Sequence, residues 1–188
     1  MNVGIVMPIA LGRSALLLGF VILLALAVAR QPQALVRLAA PPGIPAAGHA
    51  FQIVENGHAR DVPLEEIEAL GLCRLTTSSP WENGTFTFDG VPFAALVRHF
   101  GWDGHEGVQI RAIDGYTRII PRHEWERDFA ILATRDNGRP LDRRQKGPTR
   151  IVYPLIEHPE LDTFDRKTMW VWMIERMEPV RFLGSADR

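Results

Sequence analysis

From Phe51 onward the chain is cut into short apolar runs by turn dipeptides, and this punctuation decides which folds stay open to it. Phe51 to Val54 is closed by Asn56-Gly57, a hairpin signal because both residues tolerate positive φ. Leu72 to Thr77 and Thr85 to Phe88 read as strands, with Asp89-Gly90 as the turn after them. Val108 to Ile113 and Tyr116 to Ile120 flank Asp114-Gly115. Phe129 to Thr134 is closed by Asp136-Asn137-Gly138, and Arg150 to Tyr153 is a further short run. Met169 to Met177 (MWVWMIERM) fits a strand or a helix on periodicity, and its Trp-Val-Trp start favours a strand.

Helical signals are fewer. Pro63 opens Leu64 to Leu70, with Glu65 and Glu66 in the first turn and Gly71 past the end. Pro92 to Phe100 puts Phe93, Leu96, Val97 and Phe100 on one face and stops at Gly101. His123 beside Glu124 marks a further helix start. The total is about eight short strands and two or three short helices, with no repeating βαβ order. The expectation is α+β: a single mixed α/β domain, not a doubly wound nucleotide-binding sheet.

The N-terminal part reads differently. Residues 14–29 (SALLLGFVILLALAVA) carry no charge, Arg13 precedes them, and Ala27-Val28-Ala29 has the small-x-small pattern of a signal-peptidase site. The run is shorter than the roughly 20 apolar residues of a bilayer span. Residues 1–29 are therefore expected to be an export signal and the protein periplasmic, with an uncleaved inner-membrane anchor as the competing reading. Residues 30–48 are rich in Ala, Pro and Gly without a steady period, which fits a linker or an extended arm. The folded domain is expected over 49–182, with 183–188 as a tail. That length suits one core and is too short for two.

Composition closes several functional classes. With 21 Lys+Arg against 22 Asp+Glu there is no basic excess for nucleic acid. The single cysteine, Cys73, excludes an intrachain disulfide framework and a zinc site built from several thiolates, and it is expected to be buried. The six histidines are scattered over loops and helix ends and read as solvated or capping groups. No Gly-rich phosphate loop, G-x-S-x-G elbow or H-E-x-x-H is present, so no catalytic or metal-ligating residues are assigned.

Three segments carry more specific chemistry. In Arg74-Leu75-Thr76-Thr77-Ser78-Ser79-Pro80-Trp81, four hydroxyls precede a large flat face. A planar heterocycle can stack on Trp81 while short donors bond its edge; the plain alternative is a solvated loop with Trp81 in the core. Asp114-Gly115-Tyr116 is either an ordinary hairpin turn or, at a pocket, a carboxylate able to accept two parallel N–H bonds from a 2-aminopyrimidine edge. Arg143, Arg144 and Lys146 before Gly147-Pro148 form either a solvated charge run or an anion and polyol clamp.

In order, R-L-T-T-S-S-P-W-E-N-G-x-F-x-F-D-G-V-P-F, A-I-D-G-Y-T-R-I-I-P, I-L-A-T-R-D-N-G-R-P-L and K-G-P-T-R-I-V-Y-P resemble the sulfite-oxidase-type molybdopterin-binding domain, from about Phe51 to Val180. In catalytic members a cysteine thiolate four residues before the Trp ligates molybdenum. The matching position here is Thr77, whose neutral hydroxyl is a poor substitute for a soft anionic ligand. Cys73 lies four residues earlier, about 13 Å away along an extended strand. The sequence is more similar still to the non-catalytic exported pterin-binding (PruR-type) regulators, which lack that cysteine and bind a free reduced pterin.

That resemblance implies a pterin receptor without catalysis or metal, reporting occupancy to an inner-membrane sensor: a cyclic di-GMP enzyme or a sensor kinase. Trp81 is expected to stack and Asp114 to read the pyrimidine edge. Thr76, Thr77, Ser78 and Tyr116 would supply hydrogen bonds, Lys146 and Tyr153 would line the rim, and Arg74 would assist. Trp170 and Trp172, two apart on a strand, would share one face, toward the pocket or into the core. The alternative is a molybdopterin-dependent oxidoreductase of the sulfite oxidase family. A scaffold acting only as a protein adaptor is the third reading.

Overall fold

Alternating burial sorts the strands into two sheets. Along Cys73–Ser78, for example, Cys73, Leu75 and Thr77 are buried while Arg74, Thr76 and Ser78 take the opposite face. The computed structural model describes residues 35–181 apart from 41, 42, 44, 45, 128 and 129. The expected export signal (1–29), the start of the linker and the tail (183–188) lie outside the described residues. The described residues belong to one unit of the chain, Gln33–Arg188.

In chain order the strands are β1 (Val36–Arg37), β2 (His49–Glu55), β3 (His58–Pro63), β4 (Cys73–Ser78), β5 (Thr85–Pro92), β6 (Gly107–Ala112), β7 (Thr117–Pro121), β8 (Ile131–Asp136), β9 (Arg139–Pro140), β10 (Arg150–Val152) and β11 (Ile174–Val180). The short α-helices are α1 (Leu64–Glu68), α2 (Phe93–His99), α3 (Arg122–Glu126) and α4 (Phe164–Thr168). One sheet runs β1-β4-β5-β8-β10 with β9 on β8; the other runs β3-β2-β11-β6-β7. The β11–β2 pair is parallel and the remaining strand pairs are antiparallel. This is the single mixed α/β domain expected. Phe51, Phe93, Trp102, Leu132 and Tyr153 are among the side chains that fill its core.

Local chemistry explains the joints. Asn56 and Gly57 both take positive φ (51° and 79°), as the tight β2–β3 hairpin requires. Glu68, at the end of α1, reaches buried Arg135 on β8 through a two-pronged ion pair of 2.8 and 2.7 Å and also accepts from Thr134 Oγ1 at 2.7 Å. That pair fastens helix to sheet.

Several sequence readings need correction. Asp89-Gly90 is not a turn: both residues lie inside β5, at a register shift against β8. A Cβ at Gly90 would meet Ala133 Cα at 2.6 Å, so the glycine serves close strand approach. Met169–Met177 is not one strand. Thr163 caps α4 by accepting from Arg166 N, the helix ends at Thr168, and β11 begins only at Ile174, so Trp170 and Trp172 sit on an irregular crossing. β3 was hidden by its polar edge composition, and the segment read as linker or arm contributes β1, laid on the edge of β4.

Candidate functional site

Where the β6–β7 hairpin meets the chain after α4, aromatic side chains enclose a slot of ≈ 170 Å³. Its walls are Trp81, Tyr116, Trp170 and Trp172, with Asp114 and Lys167 as its charged groups. This is small beside the roughly 300–1,000 Å³ of drug-sized sites, and suits one flat ring system better than an extended ligand.

Each wall has a local cause. Asp114 Oδ1 accepts from Tyr116 N at 2.9 Å, closing the turn over Gly115, whose φ is 86°. Among the described residues none donates to the second carboxylate oxygen. The Tyr116 hydroxyl donates to the Thr168 carbonyl (2.8 Å) and accepts from Arg118 Nε (3.0 Å), which ties the hairpin to the end of α4. Trp170 is buried and packs on Tyr153, centroids 6.3 Å apart, so it belongs both to the core and to the floor of the slot. Trp172 meets Trp81 edge-on at 6.3 Å and 78°. Behind Trp172 lies Lys146 Nζ, 4.9 Å from the ring centroid, itself paired with Glu82 at 2.8 Å. Trp81 stays 51% exposed, a half-open face rather than the core residue of the plain alternative.

Of the residues singled out from sequence, the fold brings Trp81, Asp114 and Tyr116 onto one slot, with Lys146 one ring behind. The others are elsewhere. Arg74 spends its guanidinium on buried Asp89 (2.7 and 3.0 Å), which raises its pKa further. Thr76 faces the same side and meets Thr87 across the strands at 3.2 Å; Ser78 is half-buried, off the slot lining. Tyr153 is no rim residue: it is fully buried, its hydroxyl contacts Met169 Sδ, and burial pushes its phenol pKa up. Lys167, Thr168 and Val171 were missed because α4 was missed. Its signal was present in Thr163-x-Asp165, a capping residue with an acid in the first turn.

Thr77 is sealed. It is fully buried, its hydroxyl donates to the Tyr153 carbonyl at 2.8 Å and accepts from Leu155 N at 2.8 Å. The side chain laces β4 to the segment after β10. A position committed to two backbone partners offers no anionic donor, so the residues present do not fit a thiolate-held molybdenum centre. Cys73 is on the same inward face of β4 but four residues away, buried, with its thiol pKa raised by desolvation. Among the described residues no group of three or more His, Cys, Asp or Glu side chains is arranged to hold a metal.

A family model described as "Oxidoreductase molybdopterin binding domain" matches residues 59–158. Among solved structures the chain is similar to the sulfane dehydrogenase SoxCD from Paracoccus pantotrophus, at 16% identity and a TM-score of 0.52. The likeness covers 75% of this chain and 40% of that one, and at this identity it is a likeness of fold. No curated protein matches the chain.

Proposed function

The chain belongs to the oxidoreductase molybdopterin-binding domain family, and from that premise we propose that it is an exported receptor for a free pterin, without catalysis, that reports ligand occupancy to an inner-membrane sensor protein. The observation that carries this reading is the contrast between the sealed Thr77 and the open aromatic slot. The metal-holding half of such a domain is closed by hydrogen bonds to backbone, while a flat slot with a free carboxylate oxygen remains. Export is supported by the uncharged run 14–29.

In this reading the heterocycle stacks against Trp81 and Trp172, and the free oxygen of Asp114 accepts N–H bonds from the aminopyrimidine edge. Lys167, paired with Asp162 at 3.0 Å, stands at the slot with a cation for the polar substituent. Occupancy would be transmitted if the Trp81 loop sits differently with ligand than without, because only a differential interaction shifts an equilibrium.

The first experiment is to purify the protein from its native periplasm, denature it, and assay fluorescent pterins and molybdenum together. A pterin without metal supports the receptor. Stoichiometric molybdenum overturns it in favour of the molybdopterin-dependent oxidoreductase. Trp81→Ala is expected to weaken pterin binding at least about tenfold while changing stability by under about 0.5 kcal/mol, because half of its surface is already in water. Unchanged affinity would remove Trp81 from the site.

A further inference from the structure

The sequence holds three Asn-Gly pairs, at 56–57, 83–84 and 137–138. Such a pair is prone to react with itself, because glycine has no side chain to shield its amide nitrogen from the asparagine side-chain carbon. Two of the three are held where this reaction is blocked. Asn56-Gly57 and Asn137-Gly138 each connect residues already paired across the ladder, Glu55 with His58 and Asp136 with Arg139. Both asparagines sit at positive φ (51° and 48°). Asn137 is held further by its N–H on the Thr87 carbonyl (2.8 Å) and its amide on Asp136 (2.9 Å). Swinging the backbone to close a ring there would unpair the strands.

Asn83-Gly84 is different. It lies in the loop 79–84 between β4 and β5, where residues 81–84 are all exposed, and Asn83 does not share the left-handed backbone of the other two. Among the described residues neither the Asn83 amide nor the Gly84 N–H has a hydrogen-bond partner, and a Cβ on Gly84 would meet nothing within 4 Å. We propose that Asn83 is a self-modification site, converting to aspartate and isoaspartate, and that the conversion loosens the Trp81 wall of the slot. The Gly84 nitrogen gives its proton to solvent and bonds to Asn83 Cγ; the Cγ–Nδ2 bond breaks and the nitrogen leaves as ammonia, taking up a proton. Water then opens the cyclic imide at either carbonyl. One opening leaves aspartate, and the other routes the main chain through the side-chain carboxyl as isoaspartate. No electrons are exchanged, and water is the sole co-reactant.

The loop connects the change to the slot. Its ends are fixed by the Ser78–Thr85 pair, so an extra main-chain carbon at isoaspartate must be absorbed between them, two residues from Trp81. The Trp81 N–H rests on Ser79 Oγ at 3.2 Å, a bond that such a shift puts at risk. Either product also places a carboxylate next to Glu82. That carboxylate holds Lys146 at 2.8 Å, and Lys146 lies 4.9 Å from the Trp172 ring centroid, so the new charge competes for the cation behind the slot.

Peptide mapping of the full chain, aged in heavy-oxygen water at mildly alkaline pH, tests the site. Asn83 is expected to take up label at least about tenfold faster than Asn56 or Asn137, and faster as pH rises, because the attacking nitrogen must lose its proton. In urea the three should convert at similar rates. Equal rates in the folded chain, or an Asn83 that converts only in urea, would overturn the site. Asn83→Gln keeps the amide but needs a larger ring, so it should stay intact and serve as the unconverted control. Acrylamide quenching of tryptophan fluorescence reports mainly on Trp81, since Trp102, Trp125 and Trp170 are buried. It should rise on ageing in the unaltered chain and not in Asn83→Gln. The affinity for 6-methylpterin, which rests on the pterin reading, should fall by up to about tenfold in the same samples. A fresh chain that binds no 6-methylpterin while quenching rises on ageing would sink the pterin reading and leave the modification site standing. Quenching and affinity both unmoved in the converted chain would overturn the link to the slot.

Discussion

Arg135 and Arg150 are the same side chain, almost equally buried, in strands β8 and β10 that pair with each other. Their surroundings differ completely. Arg135 puts Nε and Nη2 on the two oxygens of Glu68 and Nη1 on the Gly138 carbonyl. Among the described residues Arg150 finds no hydrogen-bond partner for Nε and Nη2, and the carboxylate it pairs with, Glu82, is bound to Lys146. A buried charge with every donor met is a fastener. A buried charge with its fork unmet is no fastener.

The comparison breaks most directly at the fastener. Glu68→Gln leaves Arg135 buried without its counter-charge and should cost about 3–5 kcal/mol, a large share of the stability of a domain this size. Urea denaturation would read it as a lower midpoint at unchanged slope. A loss under about 1 kcal/mol would mean that water reaches Arg135 and that the two arginines are less different than their bonding states.

Thr77 is the next fastener down. Thr77→Val keeps the shape but removes both bonds that lace β4 to this segment, leaving the Leu155 N–H and the Tyr153 carbonyl their 3.0 Å bond to each other, for a cost of about 1–2 kcal/mol, and Thr77→Ser should recover most of it. Thr77→Cys restores the family's ligand type, yet a thiol is a weaker donor and acceptor, so part of the cost remains. No stoichiometric molybdenum is expected in the purified Cys variant. Bound metal there would show that the rest of a metal site persists beneath the lacing.

How much of this was legible follows the range of each signal. The fold class could be read because strand alternation and Asn-Gly turns are local, and Trp81, Asp114 and Tyr116 could be linked because flat-face and edge chemistry belongs to residue type. Asp89-Gly90 misled because the same dipeptide that makes turns also permits close strand contact; Leu132 and Ala133, the latter 43 positions after Gly90, distinguish the two. Tyr153 looked like a rim residue because nothing near it in sequence reveals that Trp170 covers it. The state of Arg150 is less legible still, since it depends on acceptors from Glu82 and Asp136 being taken by Lys146, Asn137 and Gln145.

Between α1 and the other sheet, Glu66 offers a smaller and more exposed version of the met charge. Arg60 donates to both its oxygens (2.9 and 3.1 Å), His99 adds a contact at 3.0 Å, and the Arg60 bond foremost holds the carboxyl below its ordinary value of 4.5. A carboxylate with a lowered folded pKa stabilises the fold above the ordinary value and loses that contribution as pH falls through the folded one. Glu66→Gln should therefore flatten the acid limb of a stability–pH curve. Because the pair is partly solvated the effect is under about 1 kcal/mol. An unchanged acid limb would show that solvent screens the group fully.

The smallest effect is expected where intuition places a large one. Arg150→Met removes a buried cation, but it also removes two unmet donors, keeps a polarisable side chain over Phe88 and leaves Glu82 with Lys146. Asp136 loses an attractive neighbour, so its carboxyl, already raised by burial, rises further. These contributions oppose one another, so the stability change should lie within about 0.5 kcal/mol of zero, as replacement of a poorly compensated buried charge by a packed apolar chain often does. A destabilisation matching that of Glu68→Gln would make Arg150 a second fastener.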